Sequence, residues 1–300
     1  MNISEDTFAS WAQGPGPTER ARCDNAETAI RKTVESDSVL SKRDITIFAQ
    51  GSYKARTNVR QDSDVDICIR CNEAIFPDFP RGKTASDFGC SKSSLDFMDF
   101  KRKVEIALIN YFGTAAIRRG KKAFDVHANT YRMDADVVPT FEHRRFTGDF
   151  NPDGSHNYLS GVAFNSDDDS HIINWPQQTY ENGVSRNNNT NRKYKRTIRI
   201  LKRLRNKMQE DRIPEANNIA SFLIECLVWN ASAEAFGYDN FTTIVRHVIA
   251  DVWNRCRNEV DCSEWGEVNE LKYLFRATQP WTREQGKDFF HAAWNYIGYK

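Results

Sequence analysis

Asp64 and Asp66 stand two residues apart in the apolar run Val65, Ile67, Ile69, shortly after Gln50-Gly51-Ser52-Tyr53. Successive side chains of a β-strand alternate faces, so both carboxylates would point one way while Val65 and Ile67 point into a core. Two like charges side by side repel, and a divalent cation between them relieves the repulsion. Mg²⁺ suits that place because it takes carboxylate oxygen together with substrate phosphate. The glycine lets backbone approach a phosphate, with Ser52 and nearby N–H groups as donors. The pattern predicts a site that holds a nucleoside triphosphate through its metal.

A second period-2 stretch runs from Tyr131 to Phe141, where Met133, Ala135 and Val137 alternate with Arg132, Asp134 and Asp136. Pro139 is expected to end that strand. Placed beside the first strand, it would complete a three-carboxylate cluster able to hold two metals, one at the attacking hydroxyl and one at the leaving phosphate. Asp136 is the expected third acid, since it directly precedes Val137-Val138-Pro139; Asp134 is the reserve. Cations for the phosphates are expected on a basic helix carrying Arg192, Lys193, Lys195, Arg196, Arg199, Lys202, Arg203, Arg205 and Lys207. Lys195 and Lys202 lie about two turns apart and can share a face, and lysine serves phosphate as a point charge. A solvated charged face and a nucleic-acid groove are the other readings of that helix.

Around these motifs the text alternates between two periods. Residues 1–17, with Gly14-Pro15-Gly16-Pro17, read as a flexible lead-in, and Thr18 to about Ser41 as a helix. Ile45, Ile47 and Ala49 form a strand, 56–62 a polar connector, 76–93 a Pro/Gly loop, and Leu95–Phe112 a helix, with strands at Phe124–Ala128 and Tyr131–Val138. Loop and strand follow to Pro176, then an Asn-, Gly- and Ser-rich connector over Asn182–Asn191. Helices are expected at Thr190–Glu210, Ala216–Phe236, Phe241–Arg257, Val268–Phe275 and Arg283–Tyr296. The outcome is α+β: a strand-rich core over 18–180 and a helical lobe over 190–300.

A chain of 300 residues with a formal charge of +1 has ample core and no wholesale nucleic-acid footprint. No apolar run approaches membrane-spanning length and no signal-like segment opens the chain, so a cytoplasmic protein without membrane partners is expected. Seven scattered cysteines, Cys68 and Cys71 among them, read as reduced thiols, and Asp167-Asp168-Asp169 as a solvated turn. Tyr194 and Trp175 read as core aromatics.

Gln50-Gly51-Ser52, Thr57, Ser63-Asp64-Val65-Asp66 and Asp136-Val137-Val138-Pro139 resemble the polymerase β-like nucleotidyltransferase superfamily. Within it they resemble the branch of oligoadenylate synthase, cyclic GMP–AMP synthase and the bacterial cyclic-oligonucleotide synthases (cGAS/DncV-like enzymes, CD-NTases). The resemblance implies a mixed β-sheet with flanking helices plus a C-terminal helical lobe, the active site in the cleft between them. It implies that Lys202 of Arg199-Ile200-Leu201-Lys202 meets the donor triphosphate and that Ser221, opening Ser221-Phe222-Leu223-Ile224-Glu225, contacts phosphate. Gln50, Gly51, Ser52 and Lys195 complete the expected nucleotide site. Asp64 and Asp66 would bridge two Mg²⁺ ions, with Mn²⁺ able to substitute, and Asp136 would be base or base-side ligand. The implied reaction joins NTPs into a cyclic di- or trinucleotide messenger of anti-phage (CBASS) defence, releasing pyrophosphate. With no Cys/His zinc insertion, no obligate nucleic acid is expected; a regulatory protein partner stays open. A template-independent RNA-terminal polymerase and an inactive RNA-binding relative are the alternatives.

Overall fold

Alternating apolar residues build a seven-stranded mixed sheet in the computed structural model, which describes residues 3–59 and 64–299. Ser63 and the end of the polar connector lie outside the described residues. The strands are β1 (Ile45–Ala49), β2 (Val65–Asp78), β3 (Ile117–Arg119), β4 (Phe124–Val126), β5 (Ala135–Phe150), β6 (His156–Asn165) and β7 (His171–Asn174). Their order is β1-β2-β5-β4-β3, with β6 and then β7 continuing from β5. Among the described strands, only β2 and β5 run parallel. The helices are α1 (Glu5–Trp11), α2 (Pro17–Ser36), α3 (Gly51–Ala55), α4 (Phe97–Phe112), α5 (Pro176–Asn189), α6 (Lys193–Glu210), α7 (Ser221–Trp229), α8 (Phe241–Cys256), α9 (Glu259–Cys262) and α10 (Arg283–Ile297).

Two compact units result. One comprises Pro17–Tyr53 and Asp64–Gln177. In it Cys23, Ala26, Ile30 and Val34 of α2 and Phe97, Phe100, Val104 and Leu108 of α4 cover the apolar face of the sheet. The other comprises Met1–Gly16, Lys54–Ser63 and Gln178–Lys300. It is helical, with α7 buried through Leu223–Val228 and surrounded by the apolar stripes of α6, α8 and α10. None of the described helices is long and apolar enough to cross a membrane. All seven cysteines are free thiols, and Tyr194 and Trp175 are buried.

Several sequence expectations need correction. The opening residues are not a free lead-in: Ser4 caps α1, Phe8 is fully buried in the helical core, and Glu5 accepts the N–H groups of Phe241 and Thr242. Pro139 does not end its strand, because β5 continues to Phe150. It falls where β5 changes partner, between the β4 ladder ending at Val137 and the β6 ladder starting at Phe141. A missing N–H there interrupts neither ladder. The Asn-rich connector is helix α5, held by side-chain bonds that outweigh its poor propensity. Asn182 donates to Val268 O at 2.9 Å, Asn187 Oδ1 accepts Lys195 N–H at 3.1 Å, and the Arg186 guanidinium lies over Trp229. The expected 268–275 helix is instead a tight return with a Gly266–Tyr273 bridge. Asn269 accepts Leu271 N–H and bonds Glu267, an alternative to helix that Asn side chains offer. Asp167 is not simply solvated either, since it accepts from the fully buried Lys101 at 2.6 Å and from Arg119.

If α1 is part of the core, Phe8→Ala should cost about 3–5 kcal/mol in chemical denaturation. The 78% exposed Val260 should tolerate alanine within about 0.5 kcal/mol. Equal, negligible effects would detach α1 from the core.

Candidate active site

The parallel pairing of β2 with β5 sets Asp66 directly opposite Asp136. On the far side of Asp136, β4 places Asp125 at the same level. Three carboxylates therefore form one row across three adjacent strands, on the face opposite the fully buried Val65, Ile67 and Val137. Asp64 directly precedes β2, and its charge acts on Asp136. Asp125 escaped the sequence reading although Phe124-Asp125-Val126 carries the same apolar–acid–apolar signature. Its carboxylate also takes a 2.6 Å bond from Arg118 Nε. Asp134 takes no place in the row: it precedes β5, and its Oδ1 accepts Ala128 N–H at 2.8 Å.

Crowding of negative charge has a measurable consequence. Asp136 is pushed up to about 7, first by burial, then by the Asp66 charge, a hydrogen bond with Asp125, and the charges of Asp125 and Asp64. A cation in the row would reverse that cost, because it favours the ionised form. Among the described residues no three His, Cys, Asp or Glu side chains close into a ready-made metal cage. Mg²⁺ does not need one, since it keeps water and substrate phosphate in its shell beside one or two carboxylates. The aligned Asp66 and Asp136 supply carboxylate oxygens of the kind such an ion takes.

The bend before the row is equally constrained. Gly51 has φ +62°, and a Cβ there would stand 1.9 Å from Asp66 Oδ2. Gln50 N–H donates to Asp66 O at 2.8 Å, and Tyr53 donates to Asp24 on α2 at 2.6 Å. Gly51 thus brings backbone onto the Asp66 carboxylate, with half-buried Ser52 next in line.

The two lysines expected at the phosphates in the helical unit are unusual in being buried. Lys202 is 2% exposed and bonds Glu225 Oε1; Lys195 is 8% exposed with Nζ 5.6 Å from the Tyr180 ring. Ser221 begins α7, its hydroxyl 3.0 Å from Arg205 Nη2. Arg199 is structural, donating to Ala12 O at 2.7 Å and Arg56 O at 2.6 Å. Thr57 is buried in this unit. Glu225 and Tyr180 were not singled out from sequence, where an isolated acid on an apolar helix and an aromatic in a polar stretch carry little signal.

The raised Asp136 carboxyl fixes a pH dependence. A carboxyl raised from 3.8 to about 7 favours folding fully below its unfolded value and loses that contribution as pH rises through its folded value. Asp136→Asn is neutral throughout. Its melting temperature relative to wild type should therefore climb from about pH 5 to about pH 8 in metal-free buffer. A difference that does not change with pH would contradict the crowded row.

A family model described as the cGAS/DncV-like nucleotidyltransferase C-terminal helical domain matches residues 181–298. The chain is 41% identical over 296 residues to the cyclic dipyrimidine nucleotide synthase CdnE of Legionella pneumophila, covering 98% of this chain and 97% of that protein. It is 39% identical to the cyclic dipyrimidine nucleotide synthase CdnE of Cecembia lonarensis, covering 98% of each. The structure of Elizabethkingia meningoseptica CdnE cyclic dinucleotide synthase with GTP and Apcpp superposes with a TM-score of 0.81 at 35% identity, over 99% of this chain and 100% of that one. Likeness at this level along both the carboxylate-bearing sheet and the helical unit means that the chain belongs to the cGAS/DncV-like nucleotidyltransferases (CD-NTases), and that it is a nucleotidyltransferase that makes a cyclic nucleotide.

Proposed function

We propose that this enzyme joins two nucleoside triphosphates into a cyclic dinucleotide with release of two pyrophosphates, in a site built on Asp64, Asp66 and Asp136. The observation that carries the reading is the Asp66–Asp136 alignment across the parallel ladder, with Asp136 held near neutrality. Asp64, Asp66 and Asp136 would hold a pair of Mg²⁺ ions, which would supply polarisation of the α-phosphate and neutralisation of the pyrophosphate charge. Asp136 then accepts the proton of a ribose 2′- or 3′-hydroxyl as its oxygen forms a bond to the α-phosphorus and the bond to the β-phosphate oxygen breaks. A second attack of the same kind closes the ring. Lys195, Lys202 and Ser221, with Gln50, Gly51 and Ser52, are assigned to the triphosphates.

The relatives support a dinucleotide product, since the two CdnE proteins above are named for cyclic dipyrimidines and the solved one for a cyclic dinucleotide. The product is assigned a messenger role in anti-phage defence, as the family resemblance suggests.

Purified protein with Mg²⁺ and all four labelled NTPs should form a phosphatase-resistant product of cyclic-dinucleotide mass. Asp66→Asn should lower the rate by about 10³-fold or more, the several kcal/mol that a polarising metal supplies. EDTA should abolish turnover, and Asp134→Asn should leave it near wild type. Product formation only on an added RNA end would replace this reading with the polymerase one. Lys202→Met should weaken NTP affinity by about 1.5–3 kcal/mol, the scale of a charge-assisted bond.

A further inference from the structure

Glu225 is a charged side chain that the reaction does not require, yet it is 5% exposed in the middle of the apolar helix α7. An ionised carboxylate in such a place is costly unless paired. Its partner is Lys202, itself 2% exposed on α6. Ser221 opens α7 one turn earlier, so Ser221 and Glu225 fall on one face of that helix at i, i+4. The same carboxylate also acts on Lys195, two turns before Lys202. Lys195 Nζ lies over the Tyr180 ring at 5.6 Å, and Lys54 flanks that ring at 5.1 Å. One buried acid therefore pairs with Lys202, and its charge also reaches Lys195.

We propose that Glu225 is a positioning residue for nucleotide binding: its ion pair holds the buried Lys202 ammonium in place for the triphosphate, beside Lys195 two turns away on the same helix. The role rests on the assignment of those two lysines to the phosphates. Lys195 is already held below the ordinary lysine value, by burial first and then by Arg56 and Arg199, and Glu225 opposes that depression. The other titratable neighbours do not take over this task. Tyr194 on α6 and Cys226 on α7 are both pushed well up, burial first, so neither carries charge near neutrality. Glu267 acts on Cys226, and Arg56 and Arg199 add only positive charge. Removing the Glu225 charge moves the loss of the Lys195 charge to lower pH.

The test is the affinity for Apcpp with Mg²⁺ from about pH 6.5 to about pH 9, with thermal melts confirming folding. Glu225→Gln, which keeps an oxygen acceptor, should bind as tightly as wild type or tighter at the acid end. It should then fall progressively behind, by about tenfold at the alkaline end. Glu225→Asp should keep the wild-type slope even if its affinity drops. In a Lys195→Met/Lys202→Met background, Glu225→Gln should no longer alter the slope. A folded Glu225→Gln whose ratio to wild type is constant across pH overturns the Glu225 role alone. Lysine-to-methionine variants that bind Apcpp like wild type would remove the triphosphate assignment, and this inference with it.

Discussion

The structure depends on one parallel ladder. Where β2 meets β5, Val65 pairs with Ala135, Asp66 with Asp136 and Ile67 with Val137. The apolar members of that ladder are fully or almost fully buried against α2 and α4. A slip of one residue would turn Asp136 into this core and expose Val137, so burial of the valines and isoleucines locks the acids in register. A parallel pair cannot be closed by a tight turn. The long connection between the strands is spent on α4, β3 and β4, and β4 brings Asp125 into the same row.

Charge is handled in opposite ways within the sheet-bearing unit. Lys101 is fully buried but satisfied twice over, by Asp167 and by Lys121 O, and Asp167 is held at about 2 by Arg119 and Lys101 despite some burial. That is a charge the fold has already neutralised. Asp136 is surrounded by like charge instead and drifts up towards neutrality. Crowding of this sort weakens the free protein, and a cationic ligand would relieve it. In the helical unit, Lys195 and Lys202 pose the mirror problem: Glu225 pairs with Lys202, while Arg56 and Arg199 add positive charge around Lys195.

The Asp-x-Asp strand, its acidic partner strand and the helical second half were legible because alternation and helical spacing are local properties of the chain. Pro139 and the Asn-rich α5 were misjudged for a shared reason. Both break a local preference that distant contacts override: a change of strand partner in one case, bonds to Val268, Ala231 and Lys195 in the other. Phe8 was lost in a short N-terminal segment whose apolar content is too small to declare a helix until the core it enters is known. Asp125 was hidden for lack of length, since a three-residue strand has no period to count. Glu225 and Asp134 make the complementary point. An acid's neighbours in sequence do not reveal whether it faces a lysine across a helix pair or a backbone N–H in a turn.

The central claim is that divalent cations sit where β2 and β5 align their carboxylates. Anomalous diffraction from a crystal of this protein grown with Apcpp and Mn²⁺ locates such ions directly. Peaks within coordination distance of Asp64, Asp66 and Asp136, bridging to the nucleotide phosphates, are the predicted result. Manganese bound away from that row, with Asp66 and Asp136 contacting no ion, would contradict it.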